Sequence, residues 1–108
     1  LKENTMQFFA YQNTHATTKT AYPYLLDIQS NLLSDLKTTV VVPLSLLKQG
    51  SQPLSRLNPT VKIARSEYII NTTQLASLPR KALGKEAANL TEHQHGIIAA
   101  LDFLLSGI

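Results

Sequence analysis

The segment Thr91-Glu92-His93-Gln94-His95-Gly96-Ile97-Ile98-Ala99-Ala100-Leu101-Asp102-Phe103-Leu104-Leu105-Ser106-Gly107-Ile108 differs in period from everything before it. Ile97, Leu101 and Leu104, and in parallel Ile98, Leu101 and Leu105, recur at the spacing of one helix face. Thr91, followed three residues later by Gln94, has the form of a capping box, in which each side chain satisfies a free backbone N–H. Glu86 and Glu92 flank this start, where negative charge favours the helix dipole. Gly96 costs about 1 kcal/mol relative to alanine inside a helix, and Gly107 stands where a left-handed cap would end it. The spacing predicts one C-terminal helix.

Upstream, the period is two. Met6 to Gln12 places Met6, Phe8 and Ala10 on one side and Phe9 and Tyr11 on the other, a strand pattern. Asn13 to Thr20 is polar and Thr-rich and reads as a loop. Tyr22 to Gln29 is a second strand, with Tyr24, Leu26 and Ile28 alternating against Leu25 and Asp27. Leu32, Leu33 and Leu36 follow in a turn flanked by Ser, Asn and Asp. Thr38 to Leu44 is β-branched almost throughout, which favours a strand covered on both faces. Pro43 lacks a ladder donor and marks an edge, a bulge or the end of that strand. Gln49 to Asn58, with Gly50 and Pro53, is loop. Thr60 to Ile63 and Glu67 to Thr73 form a hairpin around Arg65 and Ser66, and Leu75 to Leu78 is a short strand stopped by Pro79. The expectation is five or six strands and then the helix, in one domain from Met6 to Ile108. Leu1 to Thr5 is a polar extension ahead of a methionine that would make a natural start.

Composition narrows the function. The chain has 108 residues, 44% hydrophobic and 16% charged, the balance of one globular domain. There is no cysteine, hence no disulfide framework and no thiolate zinc site. Ten Lys or Arg against seven Asp or Glu give a net charge of +3, but the basic residues are scattered and form no nucleic-acid or membrane patch. The longest apolar run, around Val40 to Leu44, is far short of the roughly twenty residues that cross a bilayer. No signal-peptide core is present, so a cytoplasmic location is expected.

Catalytic patterns are scarce. His15 lies in a polar loop, and His93 and His95 would point to different sides of a helix, so they cannot share a metal. No Gly-rich phosphate loop occurs and no Ser or Thr sits in a nucleophile motif. No cofactor is expected. What stands out instead is apolar: the end Leu104-Leu105-Ser106-Gly107-Ile108, and the Leu32-Leu33 pair in its polar turn, which either fold onto the core or face a partner.

The chain is similar to the CcdB toxins of plasmid and chromosomal toxin–antitoxin pairs, and several pieces carry the resemblance in order. Asp27-Ile28-Gln29-Ser30-Asn31-Leu32-Leu33 is like the family's D-V-Q-S-D and its two following aliphatics, and Val40-Val41-Val42-Pro43-Leu44 is like V-I-P-L. Leu57-Asn58-Pro59 comes next, and Thr72-Thr73-Gln74-Leu75-Ala76-Ser77-Leu78-Pro79 is like T-T-x-M-A-S-V-P. Ala100-Leu101-Asp102-Phe103 then leads to the final Gly107-Ile108.

The resemblance implies an SH3-like β-barrel with a C-terminal helix, the fold shared with the Kid and MazF ribonuclease toxins. It implies a homodimer, without enzymatic activity, that binds the A subunit of DNA gyrase in the bacterial cytoplasm and traps its cleaved-DNA complex. By position, the gyrase-facing residues would be Leu32, Leu33, Asp102, Leu105, Ser106, Gly107 and Ile108. The Asn13 to Thr20 loop, through Asn13, Thr14, His15, Thr18 and Lys19, would meet a CcdA-like antitoxin. Operator DNA would be bound only through the toxin–antitoxin complex. The loop is longer than in the plasmid member, which implies poor neutralisation by that member's antitoxin. Ser106 stands where the plasmid member has a tryptophan stacked on a gyrase arginine, a contact worth on the order of 1–2 kcal/mol per protomer. Two other readings follow: a degenerate toxin that binds antitoxin but poisons gyrase weakly or not at all, and a Kid- or MazF-like endoribonuclease. The latter needs clustered basic groups for a developing phosphorane charge, whereas Arg56, Arg65 and Arg80 stand apart in the sequence.

Overall fold

The structure is a computed structural model that describes residues 4–107. Seven strands, β1 (Phe9–Asn13), β2 (Tyr24–Asp27), β3 (Thr38–Leu46), β4 (Thr60–Ile63), β5 (Ser66–Ile70), β6 (Ala76–Pro79) and β7 (Leu83–Asn89), precede one helix, α1 (Gln94–Ser106). The sheet runs β4-β5-β3-β2-β1-β7 with every pair antiparallel, and β6 shares with β5 the edge of β3 opposite β2. This curled, half-barrel sheet with a C-terminal helix is the mainly β, SH3-like architecture that the sequence led us to expect.

β3 organises the sheet because both of its faces are covered: Thr39, Val41, Val42, Pro43 and Leu44 are all buried. Pro43 is neither at an edge nor at the end of the strand. It sits mid-strand, where β6 has ended and β5 has not begun, so no ladder donor is required of it on that side. Its carbonyl instead accepts the backbone N–H of Asn71 at 3.0 Å and the Asn71 side-chain amide at 3.1 Å. The core lies between this sheet and α1, with Leu26, Leu44, Ile70 and Ile97 fully enclosed. Each contributes about 2–3 kcal/mol by leaving water. Tyr24 and Tyr68, partly buried and packed against it, meet edge to face with centroids 5.1 Å apart.

Several expectations shift. β1 starts at Phe9 because Phe8 adopts a left-handed φ of 69°, turning the chain so that Phe8 enters the core while Met6 is left exposed. The hairpin turn is Ala64-Arg65 rather than Arg65-Ser66, since Ile63 pairs with Ser66. Thr72–Gln74 is a 3-10 turn and does not continue β5. Pro79 is the last residue of β6 and pairs with Thr38, so the strand stops at it as expected but includes it.

β7 was not anticipated. Leu-Gly-Lys-Glu-Ala-Ala-Asn contains no β-branched residue, and the segment is a strand because it supplies the second neighbour of β1. Gly84 permits that pairing: a Cβ there would lie 2.8 Å from Thr14 Cγ2 and 2.9 Å from the Gln12 carbonyl oxygen. Glu86 therefore lies in β7, away from the start of the helix. The Thr91/Gln94 capping box is not formed either. Asn89 Oδ1 accepts both the Thr91 N–H (3.0 Å) and the Thr91 hydroxyl (2.8 Å), and a 3-10 turn at Thr91–His93 leads into α1. The C-terminal cap is as expected: Gly107 has φ 74° and donates its N–H to the Phe103 carbonyl at 2.9 Å.

Ala64 and Arg65 both have positive φ, 50° and 74°, the conformation that a two-residue hairpin demands and that Asn-Gly meets best. Each L-residue there carries left-handed strain of about 1–2 kcal/mol, offset in part by the greater unfolded-state freedom of glycine. The double substitution Ala64→Asn, Arg65→Gly is expected to raise stability by about 1 kcal/mol, read as a higher urea midpoint with unchanged slope.

Candidate partner-binding faces

Three surfaces carry the residues singled out from the sequence. The first is the C-terminal end of α1. Ile97 and Ala100 point into the core, whereas Ile98, Asp102 and Leu105 form an outward stripe one turn apart. Leu105 is 77% exposed, and Ser106 and Gly107 are exposed beside it. Ser106 does not project its hydroxyl outward. It donates to the Asp102 carbonyl at 2.7 Å, within its own helix. Ile108 lies outside the described residues.

The second surface is the 3-10 turn Asn31–Leu33, whose Leu32 is 94% exposed and whose Leu33 is also largely open. Two such leucines in water need a rigid support, and the turn has one. The Ser30 hydroxyl accepts the Leu32 N–H at 3.1 Å, and Asn31 Oδ1 accepts the Gln7 N–H at 2.9 Å. From beneath, Arg80 donates from Nη2 to the Leu33 carbonyl (3.0 Å) and from Nε to the Leu36 carbonyl (2.6 Å).

Arg80 is buried, and its charge is answered by buried Asp27, Nη1 to Oδ2 3.6 Å. Thr5 bridges the two, its hydroxyl accepting from Arg80 Nη1 at 2.8 Å and donating to Asp27 Oδ2. The other carboxylate oxygen accepts from the Thr39 hydroxyl at 2.8 Å and the Gln29 N–H at 3.0 Å. This network was not foreseen. In the sequence Asp27 read as a member of an alternating strand and of the D-V-Q-S-D-like motif, and Arg80 as one of three scattered arginines. Nothing in a one-dimensional pattern signals a pair 53 positions apart, 80 minus 27.

The third surface is the loop between β1 and β2. Its residues Thr14, His15, Thr18 and Lys19 are exposed, whereas Asn13 is buried and spent on the loop itself. Asn13 Nδ2 donates to Thr18 Oγ1 (3.0 Å) and the Tyr22 carbonyl (2.8 Å), and its Oδ1 accepts the His15 N–H (3.0 Å). A cleft of about 260 Å³ opens beneath the loop, lined by Asn13, His15, Thr18, Leu25, Leu78 and Ala82. Its apolar floor and polar rim suit a side chain of an extended peptide. The three surfaces rest on separate supports: core packing under α1, Arg80 under the Leu32-Leu33 turn, and Asn13, the last residue of β1 rather than the first of the loop, under the loop.

The family model described as the CcdB protein matches residues 7–107. The chain belongs to the CcdB family. Membership implies the toxin component of a toxin–antitoxin pair. All the surfaces described above lie on parts of the chain that the match covers. No helix among the described residues is long and apolar enough to cross a membrane. Among them, too, no three His, Cys, Asp or Glu side chains are grouped so as to hold a metal.

Breaking a buried ion pair by deleting one partner leaves the other charge uncompensated, at about 3–5 kcal/mol. Asp27→Ala is therefore expected to lower the unfolding free energy by about that amount in urea titration, against less than ~0.5 kcal/mol for Met6→Ala on the exposed surface.

Proposed function

We propose that this CcdB family member is a gyrase poison: as a homodimer it binds the A subunit of DNA gyrase and traps the complex with cleaved DNA. The observation that carries this reading is the outward apolar end of α1, with Leu105 77% exposed on a stripe shared with Ile98 and Asp102. Single exposed leucines are common, but a stripe that ends in an exposed tail offers a contiguous face to a partner. The rigidly supported Leu32 and Leu33 supply a second apolar contact, and Ile108 would extend the first. In a two-fold dimer every such contact is made twice. The toxin performs no chemistry and needs no cofactor; it acts by binding, in the bacterial cytoplasm.

Neutralisation falls to a CcdA-like antitoxin that engages Thr14, His15, Thr18 and Lys19 on the loop framed by Asn13, with a side chain seated in the cleft below. A disordered antitoxin segment that folds on binding suits so open a surface. Operator DNA is reached only through that complex.

Ser106 favours the degenerate toxin as the second reading. With its hydroxyl turned back onto Asp102, the residue offers gyrase no aromatic face. The endoribonuclease reading is disfavoured by the arginines: Arg80 is committed to Asp27 and to the Leu33 and Leu36 carbonyls, and Arg65 sits in the β4–β5 turn.

The test is supercoiling by purified gyrase with the protein added, followed by SDS and protease to reveal trapped breaks. Linear DNA is expected with the full chain and not after deletion of Ser106 to Ile108. Ser106→Trp is expected to lower the concentration needed by about tenfold or more. Absence of linear DNA with the parent chain and its appearance with Ser106→Trp would establish the degenerate toxin. RNA cleavage in place of DNA breaks would establish the nuclease.

A further inference from the structure

The last turn of α1 contains no basic residue, so the helix has no cation of its own to offset the negative end of its dipole. One arrives from elsewhere. Arg56, in the loop after β3, places its guanidinium carbon 4.2 Å from the centroid of the Phe103 ring. Phe103 is also the residue whose carbonyl accepts the Gly107 N–H and closes the helix. The arginine thus meets α1 in its last turn, through the side chain of Phe103.

The loop that delivers Arg56 is anchored. The Leu54 carbonyl accepts the N–H groups of Leu57 (3.0 Å) and Asn58 (2.6 Å), and Asn58 Oδ1 accepts the Leu54 N–H at 3.1 Å. Asn58 Nδ2 reaches the Ile70 carbonyl at 3.2 Å, tying this turn to the end of β5. Arg56 rides between Leu54 and Asn58, so its side chain carries this anchorage from the end of β5 to Phe103 of the helix.

Resting on the gyrase reading above, we propose that Arg56 is a positioning residue: stacked on Phe103, it holds the last turn of α1 and so orients Leu105, Ser106 and Gly107 toward gyrase. The final turn needs such a restraint. Beyond Ala100 no residue of α1 is fully buried, and helix ends with few buried contacts fray. A frayed end would have to be ordered at the moment of binding, which lowers affinity; a held one is preorganised. The planar guanidinium suits a ring face in a way that a lysine ammonium does not.

The experiment compares the parent chain with Arg56→Ala, Phe103→Leu, the double variant and Arg56→Lys, as purified full-length proteins. Gyrase-dependent linear DNA is measured against protein concentration, and amide hydrogen exchange is measured residue by residue. Expected for either single variant is an increase of ~5–30-fold in the concentration giving half-maximal linear DNA, two contacts being lost per dimer. The loss in the double variant should fall well short of the sum of the two single losses, as for two groups that share a contact. Arg56→Lys should recover part of the loss. Exchange should accelerate at Leu104 to Gly107 while the amides of β2 and β3 keep their protection, which separates a freed helix end from a loosened fold. Arg56→Ala as potent as an active parent, or unchanged exchange at the helix end, would overturn the role of Arg56 alone. A parent that gives no linear DNA sinks the gyrase reading itself, and the role in orienting the tail toward gyrase falls with it.

Discussion

The buried pairing of Arg80 with Asp27 is the constraint on which the remainder of this structure hangs. An arginine withdrawn from water is tolerable only if its charge is answered and its donors are used, and both conditions are met here. Asp27 supplies the charge, Thr5 bridges the pair, and the carbonyls of Leu33 and Leu36 accept from the guanidinium. One side chain therefore joins the segment before β1, the end of β2, the turn after it and the start of the segment between β6 and β7. The backbone repeats the link, since the Arg80 N–H donates to the Lys37 carbonyl at 2.8 Å. Through Thr39, Asp27 also grips β3, the strand that pairs with β2, β5 and β6.

That network explains how a small protein can leave leucines in water without losing shape. Leu32 and Leu33 are held by polar groups beneath them, not by their own packing, so they contribute little to the core and remain available. The end of α1 follows a different logic. Its inner face is anchored by Ile97 and Ala100, its cap is closed by Gly107, and its outer face is left open. The β1–β2 loop follows a third, being closed internally around Asn13.

Much of this was legible in advance where side-chain period and backbone demand coincide. β4, the doubly covered β3 and the Gly107 cap could be read because β-branched alternation, an unbroken apolar run and a glycine after a helical period each have one physical meaning. Misreadings arose where tertiary context overrode local preference. β7 has weak strand propensity and exists because β1 lacks a second neighbour, with Gly84 allowing the approach. Pro43 lies mid-strand because the neighbouring edge changes hands from β6 to β5 at that point. Asn89, two residues upstream of Thr91, takes both the Thr91 N–H and hydroxyl, so the Thr91/Gln94 box does not form and α1 begins at a His93 N-cap that makes no side-chain capping bond.

The candidate surfaces divide in the same way. The exposed Leu105-Ser106-Gly107 end and the Leu32-Leu33 turn could be named from the sequence because apolar residues in a polar turn, or past the last core contact of a helix, are local anomalies. Their supports could not. Arg80 and Asp27, or Arg56 and Phe103, are distant in the chain, and ordinary strand, loop and helix residues by composition; only folding brings their charges and rings together. By itself the sequence determined the class of fold and marked the apolar segments that break the regular pattern, because both depend on patterns within a few residues; that these segments face outward was decided by the fold. Tertiary structure alone decided what holds those segments in place, because electrostatic pairing and close packing act through space and leave no periodic trace along the chain.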